Sequence, residues 1–453
     1  MSRYGGLTAP ESMRHSGYGH RADKLGMSSR LTAGWQESGQ PASLRAHIDR
    51  YGPAPQRGTG RHNALVDAVT QAGLTGRGGA GFPTGVKMRS VASQRGRPVV
   101  VANGMESEPA SEKDKALLAR APHLVLDGAV LAAMAVGADS VHVCLPRSRE
   151  WLIAIVEKAL TERLAVNLDP ISIQVHGLPH HYVSSEETSL VSWLNGGDAR
   201  PTAVPPRPYV KGVGQRPTLI DNVETLANVA LIARYGPAWY RQAGIPDAPG
   251  TMLTTVSGGV DAPGVYEIEV GTSIGDVLEM SGAWPDAGPL LIGGYFGTWH
   301  DAQDVLDLPM AAPALRGIGA SPGSGVLLVL PPDACGLSET ARVLAWLAGQ
   351  GAQQCGPCIY GLPAIADDFT QLASGRPKGP VLDRLDRRLA TVIGRGACRH
   401  PDGAVRLARS ALSAFAADVK SHASRRVCLS ARHGQPRTAV LPIPRPTDME
   451  VWQ

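Results

Sequence analysis

The sequence predicts an α/β domain on a parallel sheet, then a small β-grasp module, then a C-terminal four-helix bundle. Three observations carry that prediction. Between residues 41 and 245, short apolar runs alternate with helical stretches of crossover length, the pattern of parallel strands covered on both faces. From 246 to 333 the runs are strand-like around one short helical stretch. From 334 to 425 apolar residues recur at helical spacing. The flanks 1–40 and 426–453 read as tails, the first mobile and rich in Gly, Ser, Arg and His.

In chain order, helical spacing begins at Leu44, breaks at Gly52-Pro53-Ala54-Pro55 and resumes at Asn63, leading into Gly76-Arg77-Gly78-Gly79-Ala80-Gly81-Phe82-Pro83-Thr84-Gly85-Val86-Lys87. Glycines at this density leave backbone N–H groups open and let the chain approach a ligand, while Lys87 adds a positive charge; this is a phosphate-binding loop in outline. Gly76, Gly78 and Gly81 also satisfy the G-x-G-x-x-G fingerprint, but that motif follows a strand and here a helix precedes it. A flexible linker would not need the stiff Phe82-Pro83 or the lysine.

Beyond the loop, Val99–Ala102 reads as a buried strand, Glu112–Val136 as one long helix, Ser140–Leu145 as a second strand, Glu150–Val166 as a helix and Ile171–Val175 as a third strand. Ligands of parallel sheets bind beyond the carboxyl ends of the strands. Directly after the first and third strands come Asn103-Gly-Met-Glu106-Ser107-Glu108-Pro109 and Tyr182-Val-Ser-Ser-Glu186-Glu187-Thr188, each with a carboxylate pair. Glu186 and Glu187 also suit the start of a helix at Thr188–Asn195. Their place on the same edge as the glycine loop favours a shared site.

The β-grasp module is read from Thr251–Gly258, Gly264–Val270 and Gly323–Leu330 as strands, with Ser273–Met280 as its helix. Ser338–Ala348, Leu362–Leu372, Val381–Ile393 and Val405–Lys420 supply the bundle. At its connections Cys355, Cys358 and Cys398 offer three thiolates, suited to an iron–sulfur cluster or zinc. Cys144 and Cys335 read as packing residues, and Cys428 lies in the basic tail with nothing local to assign it a role.

Composition bounds the rest. The 453 residues, 43% hydrophobic and 19% charged, suffice for about three soluble domains. A net charge of +4, evenly spread, argues against a nucleic-acid partner. The longest apolar run, Leu124–Leu145, carries Asp127 and Asp139 and is broken by Gly137, so it does not read as a membrane span. Nothing near Met1 has the apolar core of a signal peptide, and the expected location is the cytoplasm.

The motifs resemble those of the NADH-binding flavoprotein subunit of respiratory complex I and its relatives in NAD-linked hydrogenases and formate dehydrogenases. Besides the glycine loop, the family carries Asn-Ala-Asp-Glu-Ser-Glu-Pro, matched at Asn103, Glu106, Ser107, Glu108 and Pro109; Tyr-x-x-Gly-Glu-Glu-Thr, matched at Tyr182, Glu186, Glu187 and Thr188; and Asn-Asn-Val-Glu-Thr-Leu, matched from Asn222 to Leu226 after Asp221. Met105 and Ser185 depart from it. The resemblance implies FMN, bound by Gly76, Arg77, Gly78, Gly79, Gly81, Lys87, Asn103, Glu106, Tyr182, Glu186, Glu187, Asp221, Asn222 and Thr225. It implies NADH or NADPH against Phe82, Lys87, Glu108, Tyr182, Glu187 and Arg207. The second module is then a soluble-ligand-binding β-grasp (SLBB-like) domain, and electrons pass to a ferredoxin or small iron–sulfur protein, in a membrane-associated complex for some relatives.

Two departures bear on that expectation. The family's adenine-stacking aromatics are replaced by Ser90 and Arg207. Arg89 and Arg207 suit a 2′-phosphate, and so an NADPH site; a flavin that exchanges electrons only with proteins, or a non-catalytic adaptor, are the other readings. The family's cluster motif, Ser-Cys-Gly-x-Cys-x-Pro-Cys-Arg with a later cysteine, is matched at Cys355, Cys358 and Cys398, with Ala352 at the first cysteine and Ile359 at the arginine. This leaves a [3Fe–4S] centre, a [4Fe–4S] centre completed by water, Gln353, Gln354 or His400, or no cluster.

Overall fold

The computed structural model describes residues 29–35, 39–55, 64–284, 288–426, 428, 440–444 and 450–453. At the centre of the first unit is a four-stranded parallel sheet in the order β3-β2-β1-β4, made of β1 (Val99–Asn103), β2 (Ser140–Pro146), β3 (Ser172–Leu178) and β4 (Thr218–Asn222). The first three strands stand where the apolar runs put them. The fourth is absent from the sequence reading, because Leu219-Ile220 is too short an apolar run to show a period. It matters for the site: β1 and β4 pair so that Ala102 faces Asp221 and Asn103 faces Asn222, bringing two motifs together at the carboxyl edge.

The stretch expected to form one helix from Glu112 to Val136 is two, Lys113–Arg120 and Pro122–Val136, set at 97° to each other. Pro122 lacks the amide that would continue the first helix and starts the second instead. The first of these helices is buried along its whole length, including Lys113, Asp114, Lys115 and Arg120. Its charges lie in the interior under the site, where a charged run on a surface helix would face water. Among the described residues no single helix is long and apolar enough to cross a membrane.

A small ribbon, β5 (Gly244–Ile245) with β6 (Ala248–Pro249), leads into a five-stranded mixed sheet in the order β10-β9-β11-β7-β8. Its strands are β7 (Thr251–Gly258), β8 (Gly264–Glu269), β9 (Leu290–Ile292), β10 (Thr298–His300) and β11 (Val326–Val329). The helix Ile274–Ser281 crosses it, started by Ser273, whose hydroxyl accepts from the Asp276 amide.

The C-terminal unit is helical: Gly336–Gly349, a single π turn at Pro357–Gly361, Leu362–Ala373, Val381–Val392, His400–Ala414 and Ala416–Ala423. The expected helix Val405–Lys420 starts earlier and divides at Phe415, whose ψ of 34° leaves the helical range.

Both tails are corrected in part. Leu31 and Trp35, expected in a mobile segment, are buried, and the amides of Leu31 and Thr32 donate to the Glu267 carboxylate at 2.9 Å. Leu441 is buried, and Trp452 stacks on His181 with ring centroids 3.8 Å apart while Arg147 donates to the Val451 carbonyl at 2.8 Å. Residues 1–28, 429–439 and 445–449 lie outside the described residues.

Candidate functional site

The glycine loop bridges the helices Ala64–Ala72 and Thr84–Ala92 and is pinned at its root. The Gly76 amide donates to the Phe82 carbonyl at 2.8 Å, and the Arg77 amide donates to Thr225 Oγ1 at 2.8 Å. The Arg77 guanidinium reaches the Thr251 carbonyl at 3.0 Å and the Tyr240 hydroxyl at 3.1 Å, tying the loop to the second sheet as well. Gly79 and Gly81 have φ of 107° and 64°, values only glycine adopts at little cost. Among the described residues the amides of Gly78, Gly79, Ala80 and Gly81 donate no hydrogen bond, and a Cβ on Gly81 would meet nothing within 4 Å.

Lys87 turns from its helix across the carboxyl edge. Its ammonium bonds Glu187 and the Ile220 carbonyl and lies 3.6 Å from Asp221. Burial opposes the charge, but Asp221 and Glu187 outweigh it and hold the Lys87 pKa above its ordinary value. Burial pushes Asp221 up to about 6 against the pull of Lys87, and its Oδ2 is buried without a hydrogen-bond partner among the described residues.

A second charge set lies below. Asn222 caps the helix Val223–Tyr240 by accepting from the Glu224 amide at 3.0 Å, and its Nδ2 donates to Asp114 at 2.6 Å. Lys113 is buried between Asp114 at 2.7 Å and Glu224 at 2.8 Å. Desolvation works against its ammonium, yet the two carboxylates keep its pKa raised. Sequence reasoning missed Lys113 and Asp114, which sit in a charged run, Glu112-Lys-Asp-Lys115, that reads as a solvated helix start.

The remaining predicted residues fall into distinct places. The Asn103 amide donates to the Ser185 carbonyl at 2.9 Å. Glu106, at φ 33°, accepts from Ser111 Oγ at 2.8 Å and from the amides of Asp114 and Lys115 at 2.9 and 3.0 Å, so its carboxylate caps the buried helix. Glu186 likewise caps the helix Glu187–Leu194 through the amides of Thr188 and Ser189. Glu108 accepts from the Tyr182 hydroxyl at 2.7 Å and the Tyr295 amide at 2.9 Å, and burial lifts its pKa to about 7. Phe82 is 53% exposed, and Arg207 is exposed too. Arg89 pairs with Asp67 at 2.8 Å, and the Ser90 hydroxyl bonds the Val86 carbonyl.

In the helical unit Cys355, Cys358 and Cys398 come together. Burial, then the neighbouring Cys355 and Cys398 sulfurs, push the Cys358 thiol up to about 12, and burial raises Cys398. Backbone amides aim at two of the sulfurs, Gln353 at Cys358 and His400 at Cys398. A Cβ on Gly351 would stand 2.9 Å from the Cys358 sulfur, so glycine leaves that sulfur its room. Of the candidate fourth ligands, Gln353 and Gln354 are exposed, and Gln353 keeps a left-handed φ of 57° at the family's glycine position. His400 places Nε2 on the Leu347 carbonyl at 2.8 Å and has Nδ1 buried without a partner among the described residues.

Three family models match along this framework: the Nuo51 FMN-binding domain at residues 69–231, the SLBB domain at 253–291 and the NADH-ubiquinone oxidoreductase-F iron–sulfur binding region at 338–422. The NADH-quinone oxidoreductase F subunit of Streptomyces coelicolor is 30% identical over 377 residues, covering 80% of this chain and 84% of that protein. The chain belongs to the family of NADH-quinone oxidoreductase F subunits. The second F subunit of Rhizobium meliloti is 29% identical over 411 residues, covering 88% of this chain and 96% of that one. Among solved structures, the NAD+-reducing [NiFe]-hydrogenase in its air-oxidized state matches with a TM-score of 0.77 at 28% identity, over 91% of this chain and 72% of the hydrogenase chain. Its H2-reduced state matches with a TM-score of 0.76 at 29% identity, over 87% of this chain and 66% of that chain.

As a member of that family the chain is an NADH dehydrogenase-type oxidoreductase with an FMN-binding domain and an iron–sulfur binding region. The residues present fit both groups. Open amides on a glycine cradle that leads directly into the helix of Lys87 suit a flavin phosphate, and three neighbouring thiols, two of them with an amide directed at the sulfur, suit an iron–sulfur cluster. The corner of the family motif that Ala352 occupies, buried at 3% exposure, offers no ligand.

Proposed function

We propose that this chain oxidises NADH or NADPH at FMN and delivers the electrons, through a cluster held by Cys355, Cys358 and Cys398, to a ferredoxin-like iron–sulfur partner within a multi-subunit complex. The observation that carries this reading is the closed charge set of Lys87, Asp221 and Glu187 beside unengaged loop amides. Bound FMN would supply the chemistry, taking a hydride and releasing electrons one at a time. The chain's own residues orient and screen. Gly78, Gly79 and Gly81, with Lys87, hold a phosphate; Thr225 fixes the root of the loop, Asn103 ties the sheet edge to Ser185 and Asn222 ties it to Asp114; Asp221 keeps the lysine in place. On the nucleotide side Phe82, Glu187 and Arg207 border the entrance, with Glu108 and Tyr182 behind as a buried support.

A second reading, electron exchange between protein partners without nicotinamide, draws on Arg89 and Ser90, both engaged locally where relatives stack adenine. Losing a stacking aromatic costs about 1–3 kcal/mol. The test is the absorbance spectrum of anaerobically purified protein, with flavin, iron and sulfide counted, before and after NADH and NADPH. Bleaching of flavin by either nucleotide supports the first reading and names the coenzyme. A flavin that stays oxidised under excess of both, yet is reduced by a reduced ferredoxin, replaces it with the second.

A further inference from the structure

We infer that Cys335, His422 and Cys428 form a metal site of their own, suited to Zn2+ and built from residues outside the cluster motif. Their ligand atoms, two Sγ and one imidazole nitrogen, all lie within 4.8 Å of one another. Cys335 immediately precedes the helix Gly336–Gly349, His422 lies in the last helix Ala416–Ala423, and Cys428 follows it, so two stretches of chain far apart in sequence converge on one point. Cys335 and His422 are buried and Cys428 is partly exposed. The sequence reading of Cys335 as a packing residue accounts for its burial but not for the company it keeps.

The imidazole is already set as a metal ligand would be. His422 Nδ1 lies 2.9 Å from the Ala373 carbonyl, which only accepts, so Nδ1 carries the proton and Nε2 keeps the lone pair that a metal would take. A ligating histidine that donates its other N–H to a backbone carbonyl is the usual outer-shell arrangement at zinc. The Nε2 lone pair now accepts from the Cys428 amide at 2.9 Å, a bond that a metal ion would replace while keeping Cys428 in the site through its sulfur.

Ligand chemistry selects the ion. Two thiolates and one imidazole are too soft for calcium or magnesium and match tetrahedral zinc, with Zn–S near about 2.3 Å and Zn–N near about 2.0 Å. In that geometry the two sulfurs stand about 3.8 Å apart, a separation compatible with three ligand atoms that all lie within 4.8 Å of one another. Binding releases two thiol protons to solvent and moves no electron. The fourth position falls to water, reached past the partly exposed Cys428. The consequence is a clamp that ties the chain after Ala423 to the start of Gly336–Gly349, without involving the cluster cysteines.

The test uses the full chain purified anaerobically with its iron–sulfur centre, with zinc and iron measured by elemental analysis. Cys428→Ser is the leading variant because that side chain is partly exposed, and His422→Gln is the second. The expected result is about one zinc per chain in the parent, lowered about tenfold or more in both variants with iron unchanged. Cys358→Ser should show the reverse, iron lost and zinc kept. As a readout independent of purification history, Co2+ added to zinc-stripped protein should give thiolate-to-cobalt charge transfer and an intense tetrahedral visible band, both lost in Cys428→Ser. Three results would overturn the inference: no zinc and no cobalt spectrum in the parent, a cobalt spectrum that survives Cys428→Ser, or a non-reducing peptide map in which Cys335 is disulfide-bonded to Cys428.

Discussion

The sheet edge around Lys87 and the connection carrying Cys355 and Cys358 are held together very differently. At the edge each lysine is held by two carboxylates: Lys87 between Asp221 and Glu187, and Lys113 between Asp114 and Glu224, with Asn222 bonded to Asp114. Removing either lysine leaves a buried carboxylate without its cation, at about 3–5 kcal/mol. The cysteine connection has no such interlock. Ala352 is small and buried where a ligand is missing, Ile359 is 40% exposed, and Gln353 lies in an exposed turn. Charges that neutralise one another in the interior are therefore bound into the folding of the edge, including Asp221 where the family has Asn, whereas a ligand loop can lose a member and still pack.

That contrast can be broken by experiment. The largest expected effect is that of Cys358→Ser, which removes the buried central thiol: iron should be lost completely while flavin content stays that of the parent, measured on the same sample. Loss of flavin together with iron would show that the two regions are not independent. Next, Lys87→Met should weaken FMN by about 100-fold or more, since it removes the phosphate's cation and strands the buried Asp221. Fluorescence titration of the flavin-free variant reads this directly, and iron should be unaffected.

A smaller effect concerns pH. Folding lifts the Glu108 pKa from 4.5 to about 7, mainly by burial. The folded protein therefore keeps a proton that the unfolded chain gives up, so this contribution to stability is whole below about 4.5 and is lost as pH rises through about 7. Over that window it amounts to about 3 kcal/mol at one charge. Glu106 shifts in the same direction for the same reason, so Glu108→Gln should flatten, not abolish, the fall in denaturant midpoint between about pH 5 and pH 8. An unchanged slope would place the titration elsewhere.

How much of this the sequence disclosed follows the same division. The glycine loop, the three strands that follow it and the carboxyl-edge motifs could be read because strand period, helix period and turn chemistry agreed. β4 could not, since Leu219-Ile220 gives no period and only pairing with Val100 and Val101 makes a strand of it. The buried charges of Lys113 and Asp114 could not either, because a charge run is normally solvated and only the turn at Pro122 folds this one inward. Glu106 and Glu186 were legible as carboxylates on the right edge, but the geometry has them holding helix amides. Cys335 and His422, 87 residues apart by number (422 − 335), share no local pattern, and tertiary packing alone joins them.

The smallest effect tests whether the cysteine connection is as loosely constrained as the contrast implies. Gln353 holds φ at 57°, a left-handed conformation that costs a residue with a Cβ about 1–2 kcal/mol and glycine little. Its side chain offers small compensation, one long bond at 3.4 Å to the Ala348 carbonyl. Gln353→Gly should therefore raise stability by about 1 kcal/mol in thermal or denaturant unfolding, the relieved strain being partly offset by the extra freedom glycine gives the unfolded chain. Its amide, directed at the Cys358 sulfur, is retained, so iron content should not change. If the variant is instead destabilised, or loses iron, the glutamine side chain has a role in holding the cluster, and the two regions are more alike in their constraints than their packing indicates.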